Sequence, residues 1–206
     1  MTTTPDIEGI LDFLGEIRKL HHVERFTPQP NGRQENDAEH SWSVAIACAL
    51  LASRVEKEQG VKLDVAKLIK MALIHDLGEI HTGDTKTWDT AARVGKEERE
   101  RLAITSLIKP LPDDLRSEML ALWEECEAKE TIEAKMVKSI DRFDPVLHRT
   151  VFDIGWKGCV EPEHATVESL DARQKPRHLF SDILLKVYEV IRDKAVRKSL
   201  FGTDNL

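Results

Sequence analysis

At 206 residues the chain has the length of one domain with a substantial core. Apolar residues make up 41% and charged residues 33%, with few aromatics and only short β-branched runs, a mix that fits a helical protein and argues against a sheet-dominated, disordered or membrane one. The net charge of -7 gives no basic footprint for nucleic acid or an anionic membrane, so any phosphate would need a positive potential made locally by a metal and a few Arg or Lys.

The first residues, Met1 to Asp6, lack the charged and apolar regions of a signal peptide. Ile7, Ile10, Leu11, Leu14, Ile17 and Leu20 then recur at helical spacing and predict an amphipathic helix over 6–20, with His21 and His22 at its end near solvent. Arg25 to Arg33 holds two prolines and an Asn-Gly pair and reads as a loop. Its two arginines are candidates for holding a phosphate, although from composition alone a solvated surface loop is the simpler reading. Asn36 and Glu39 form a capping box that starts a helix running to Gln59, stopped by Gly60. Val44, Cys48, Leu51 and Val55 mark its inward stripe, and His40 extends that stripe by one turn. Taken alone, such a histidine is more often a hydrogen-bonded core residue than a ligand.

The next helix, 64–77, carries Met71-Ala72-Leu73-Ile74-His75-Asp76-Leu77-Gly78-Glu79. Leu68 and Ala72 line up with His75, and Ile69 and Leu73 with Asp76, so both polar groups continue apolar faces. Glu79, four residues after His75, lies near both. Buried charge needs compensation, which a divalent cation would supply. A loop follows, with His81 outside the site, Asp84 as another carboxylate, and Thr87 to Asp89 presenting Trp88 as a candidate lid or stacking residue. Residues 91–108 form a charged helix whose run Lys96 to Arg101 reads as a solvated face. Pro110 and Pro112 end it, and a helix over 113–129 buries Leu115, Met119, Leu122 and Trp123. In the helix over 131–148, Ala134 and Val137 line up with Asp141; Asp144 follows one turn on and Pro145 bends the chain. Residues 151–176, with Gly155, Gly158 and Pro162, read as irregular, and a closing helix covers 178–199. Cys48, Cys126 and Cys159 are far apart and odd in number, which implies no disulfide framework and a reducing cytoplasm. No apolar run approaches the ~18 residues of a membrane span.

Four residues therefore stand out: His40, His75, Asp76 and Asp141, from three predicted helices, each placed on an apolar face. Two imidazoles and two carboxylates suit one divalent ion of borderline character (Mn, Co, Fe, Ni or Zn), with about two positions left for water and substrate.

This ordered set resembles the signature of the HD-domain metal-dependent phosphohydrolases: a His, a His-Asp pair and a distant Asp. It is closest to their 5′-deoxynucleotidase-like branch. The tracts that carry the resemblance are Arg33-Gln34-Glu35-Asn36-Asp37-Ala38-Glu39-His40-Ser41, then His75-Asp76-Leu77-Gly78-Glu79 with Gly83-Asp84-Thr85, then Glu133-Ala134-Lys135 leading to Asp141-Arg142. They span roughly residues 10–150, with 151–206 as a C-terminal helical extension of a single domain. The resemblance implies an all-α fold, a metal on those four residues, and hydrolysis of a nucleotide phosphate ester. It implies Glu79 as the acid/base group, Asp84 near the sugar, and Arg25 in the place of a phosphate-contacting arginine. Phe26 stands where relatives carry Trp, which bears on base and sugar selectivity. A homodimer is expected by analogy.

The expected reaction is release of phosphate from (deoxy)nucleoside 5′-monophosphates, with Arg25 and Arg33 offsetting the phosphate charge and no nucleophilic side chain. The alternatives are removal of triphosphate from a dNTP or cleavage of another phosphoester. A different class is a non-catalytic protein that binds metal or nucleotide.

Overall fold

The computed structural model describes residues 3–86, 88–157 and 160–201; the loop residue Thr87, Gly158 and Cys159 lie outside them. Helix α1 (Thr4–Ile17) is opened by a Thr3/Asp6 capping box and runs into a 3-10 turn, Arg18–His22, which leaves His21 and His22 exposed. Strands β1 (Glu24–Pro28) and β2 (Gln34–Asn36) pair antiparallel, with Glu24 opposite Asn36 and Pro28 opposite Gln34. Helices α2 (Asp37–Gln59), α3 (Val65–Ile74), the one-turn α4 (Glu79–Thr82), α5 (Lys96–Leu107), α6 (Asp113–Ala128), α7 (Ile132–Val151), α8 (Val167–Gln174) and α9 (Asp182–Arg197) complete the chain.

The architecture is all-α apart from this small hairpin. The stretch read as a loop over 25–33 is mostly strand and turn. Its prolines and Asn-Gly do mark the tip, where Gly32 sits at φ +85 and its N–H donates to Gln29 O at 3.0 Å. The flanking strands are too short for an alternating pattern to show. The segment 151–176 also departs from expectation, because α8 forms there on a Thr166 cap with little apolar content. Helix α5 starts at Lys96 rather than near residue 91, and Leu115 and Met119 are only partly buried.

The core is built on α2, which packs against α3 and α7, while α7 also packs against α6 and α9. Val44, Cys48 and Val55 from α2 meet Leu68, Met71 and Ala72 from α3 and Val137, Ile140 and Phe143 from α7. The capping box at Asn36 and Glu39 is formed, and Gly60 ends α2 in the left-handed region. The hairpin is tied to α7 at two points: His148 Nε2 donates to Pro28 O at 3.1 Å, and Arg149 Nη2 donates to Phe26 O at 3.1 Å. The C-terminal segment is anchored where Trp156 N donates to Leu200 O at 2.8 Å and its ring stacks on Phe201.

His178 precedes α9 and is fully buried, its Nδ1 paired with Ser139 Oγ on α7 at 2.7 Å and its ring stacked on Tyr188. Burial, and secondarily the Arg142 charge, push its pKa down from 6.5 to about 4. Below pH 6.5 the unfolded chain takes up a proton that the folded chain refuses. This contribution is therefore complete above pH 6.5 and is lost as the pH falls toward 4, by up to about 3 kcal/mol. Urea unfolding of wild type and His178→Gln should show the stability difference shrinking across that window. A difference independent of pH would contradict a neutral, buried His178.

Candidate metal centre

Helix α2 begins at the site. The Asn36 cap fixes its first turn, which carries Asp37 and His40 inward, both fully buried. Helix α3 ends at the site. Its expected continuation to Leu77 does not occur; past Ile74 the chain tightens to three-residue bonds, with Leu77 N donating to Ile74 O at 3.1 Å and Glu79 N to Asp76 O at 2.9 Å. A 3-10 path turns about 120° per residue instead of 100°. Asp76 thereby leaves the line of Leu73, which is 47% exposed, and turns inward. Asp76 therefore does not continue a buried stripe through Leu73, and the tightened turn is what places it. Asp141 follows Ala134 and Val137, both fully buried, on one face of α7.

The structure brings His40, His75, Asp76 and Asp141 together, one ligand atom from each lying within 4.8 Å of the others. His40 Nε2 is 3.2 Å from Asp141 Oδ1 and 3.8 Å from Asp76 Oδ2; His75 Nε2 is 3.2 Å from Asp76 Oδ2 and 3.9 Å from Asp141 Oδ1. Neighbouring ligands of an ion bonded at roughly 2.0–2.2 Å are themselves about 2.8–3.6 Å apart, so the two 3.2 Å pairs suit a shared ion, and the 3.8 and 3.9 Å pairs lie between the neighbouring and opposite positions of its shell. Both imidazoles are turned by their other nitrogen: His40 Nδ1 pairs with Asp144 Oδ2 at 2.9 Å, and His75 Nδ1 donates to Ala72 O at 2.8 Å. His75 Nε2 is then buried without a hydrogen-bond partner among the described residues, as a ligand atom awaiting a cation would be. The donor set fits a divalent metal of the borderline group.

Charges around the centre are tightly matched. Burial opposes ionisation of Asp76, but His75 and the Arg25 guanidinium outweigh it and hold its pKa well below the usual range. Arg25 Nη1 donates to Asp37 Oδ1 at 2.8 Å and to Asp76 Oδ2 at 3.1 Å. Burial, and then the Asp76 charge, raise Asp37 to about 6 against the pull of Arg25. Asp37, Asp76 and Glu79 also approach one another within 4.8 Å, and Arg25 supplies positive charge on that flank. Glu79 is buried beside the ligands; burial and the Asp76 and Asp37 carboxylates push its pKa well up, and Lys96 pulls it back. Lys96 Nζ donates to Glu79 Oε1 at 2.8 Å and forms an ion pair with Glu100 Oε1 at 2.7 Å. The charge run read as solvated thus turns two members, Lys96 and Glu100, into the site. Gly78 permits it, because a Cβ there would stand 3.1 Å from Glu100 O.

A cavity in two lobes opens at this centre, both lobes sharing Arg25, Asp84, Thr85, Asp141 and Arg142. One lobe, about 100 Å³, is walled by Phe26, Trp88, Trp156, Leu170 and Arg173. Lys86 Nζ sits 4.6 Å from the centre of the Phe26 ring and 5.9 Å from that of Trp88. The other lobe, about 200 Å³, includes Glu79 and Lys96. Arg33 lines neither: its guanidinium is held on the surface by Glu39, at 2.8 Å from Nη1 to Oε2. His81 is exposed. Sequence reasoning missed Asp37 and Asp144, although each lies three residues from a ligand on the same helix face. It also missed Lys96 and Trp156, for which no local signal exists.

The HD domain family model matches residues 17–170, and the chain belongs to the HD-domain family. The 5′-deoxynucleotidase HDDC2 of Homo sapiens is 31% identical over 148 residues, 70% of this chain and 69% of that protein. The Xenopus laevis protein of the same name is 30% identical over 71% of this chain and 70% of its own length. The crystal structure of a predicted metal-dependent phosphohydrolase from Magnetospirillum magnetotacticum superposes with a TM-score of 0.81 at 34% identity, covering 97% of this chain and 100% of that one.

If Asp144 aims His40, Asp144→Asn should weaken metal binding about 10- to 100-fold while leaving the fold intact. A chelator-competition titration would read this, and unchanged affinity would remove the orienting role from Asp144.

Proposed function

We propose that this chain is a metal-dependent phosphohydrolase that releases phosphate from nucleoside 5′-monophosphates, deoxynucleotides among them. The observation that carries the reading is the meeting of four ligand atoms, a buried carboxyl beside them and an aromatic-walled lobe at one point. Relatives named 5′-deoxynucleotidase support the substrate class. His40, His75, Asp76 and Asp141 would hold one divalent ion, which when bound supplies a Lewis acid that acidifies water and draws charge from a phosphoryl oxygen.

The chain's own groups do the rest. Glu79, with its raised pKa and its Oε2 without a partner among the described residues, accepts the proton of the attacking water and returns it toward the leaving 5′-oxygen. Arg25, anchored by Asp37 and Asp76 at the junction of the lobes, offsets phosphate charge. Asp84 accepts a hydrogen bond from a sugar hydroxyl, and Phe26 and Trp88 flank the base in the first lobe. A purely metal-binding protein would have no use for a buried Glu79 tuned by Lys96.

We read the chain as one domain, with 151–206 as its C-terminal extension, from which Trp156, Val160, Leu170, Arg173 and Arg177 complete the cavity wall. Cys48 and Cys126 are free and buried, which supports a reducing compartment such as the cytoplasm; among the described residues no helix is long and apolar enough to cross a membrane. A homodimer is proposed through the outer stripe of α2, where Trp42 and Leu50 are 64% and 66% exposed with Ile46 between them. Sedimentation should give a dimer that Trp42→Glu dissociates; a monomeric wild type would exclude it.

The deciding experiment is a metal-by-substrate screen with ribo- and deoxynucleoside mono- and triphosphates, scoring released phosphate against tripolyphosphate. Glu79→Gln should lower turnover about 10²- to 10⁴-fold with metal content preserved. Lys96→Met, by removing the charge that lowers the Glu79 pKa, should move the acid limb of the kcat/KM profile to higher pH. Full activity of Glu79→Gln, or an unmoved acid limb, would refute the assigned base.

A further inference from the structure

We infer that the second lobe of the cavity holds an anion site distinct from the metal centre, formed by Arg93, Arg142 and Arg177, which takes a phosphoryl group joined by an anhydride bond to the phosphate at the metal. The inference rests on the proposed placement of the scissile phosphate at that centre.

The three arginines come from separate elements: the turn before α5, the middle of α7 and the 3-10 turn Lys175–Arg177 after α8. All three line the second lobe. Among the described residues, no guanidinium of the three makes a hydrogen bond or an ion pair. The other cations of the lobe are committed: Lys96 to Glu79 and Glu100, Arg25 to Asp37 and Asp76, Lys138 and Lys129 to Glu127. Glu97 also lines the lobe but pairs with none of the triad. Burial, then the charges of Arg142 and Arg93, make Arg177 less willing to hold its proton against the opposing pull of Asp141, so Arg177 stands near both other arginines. Uncompensated guanidinium groups facing one concavity are the arrangement that recognises phosphate through charge-assisted, two-pronged hydrogen bonds.

The position of the lobe defines the ligand. The two lobes meet at Asp141, Arg142, Arg25 and Asp84. A nucleotide with its base among Phe26 and Trp88 and its first phosphate at the junction must send anything beyond that phosphate into the second lobe. A monophosphate at the junction meets Arg142 alone of the triad; the terminal group of a nucleoside 5′-diphosphate extends toward Arg93 and Arg177, which line only the second lobe. Free pyrophosphate offers the same chemistry.

The test is calorimetric titration of the Mn-loaded Glu79→Gln protein, in which turnover is suppressed, with dAMP, dADP and pyrophosphate, alone and combined with Arg93→Gln or Arg177→Gln. Each loss of a charge-assisted contact should weaken dADP and pyrophosphate about tenfold and leave dAMP within about twofold, with Arg177→Lys retaining most of the affinity. Unchanged thermal unfolding of each variant separates the effect from misfolding. Tight pyrophosphate without tighter dADP than dAMP would support the anion site and assign it to the free anion. Equal loss for dAMP and dADP, or no loss for either dADP or pyrophosphate, would overturn it. Absence of monophosphate hydrolysis by wild type would instead fail the proposed function, while pyrophosphate binding would still judge the triad.

Discussion

Two imidazole nitrogens and two carboxylates are forced toward one buried point, and the surrounding architecture follows from that. Each imidazole has committed its Nδ1 to an acceptor, Asp144 for His40 and the Ala72 carbonyl for His75, so each Nε2 faces the centre. Leaving such an atom buried and unpartnered, as His75 Nε2 is among the described residues, costs about 1–3 kcal/mol. Crowding Asp37, Asp76, Glu79 and Asp141 nearby costs more unless positive charge is close. Arg25 and Lys96 supply it on the flanks, and a bound divalent ion would supply it at the middle.

That point is reached by the start of one helix, the end of another and the middle of a third. The arrangement has a physical logic, since side chains in a first turn or just past a last turn can converge without burying long stretches of polar surface. The middle position belongs to α7, the most widely contacted helix, which also carries the orienting Asp144. The same helix grips the hairpin through His148 and Arg149, and the hairpin presents Arg25 and Phe26. The proposed metal ligand Asp141, the proposed phosphate contact Arg25 and one wall of the first lobe are therefore coupled through one helix.

The segment beyond residue 150 takes part in this arrangement. Trp156 and Leu170 close the first lobe, and Arg177 reaches the second. Trp156 stacks on Phe201, with the Arg149 guanidinium 5.4 Å from its ring, which links this wall back to α7. The two lobes differ in character, one aromatic and one ionic, and Asp141 and Arg25 lie where they join.

The sequence by itself determined the helices of the core, the cap at Asn36, the stop at Gly60, and three of the four converging positions, because His40, His75 and Asp141 extend buried stripes whose period is local information. It also named Asp76, though by a stripe that proves exposed at Leu73. Only the tertiary structure decided that Asp76 turns inward on a tightened 3-10 path, that Lys96 and Glu100 leave a surface charge run to sit beside Glu79, and that Arg33 stays outside while Trp156 and the arginine triad come in. Those outcomes depend on how close α5 can approach Gly78 and on how the C-terminal segment folds back over α7. Such distances between remote residues are set by packing and leave no period in the chain.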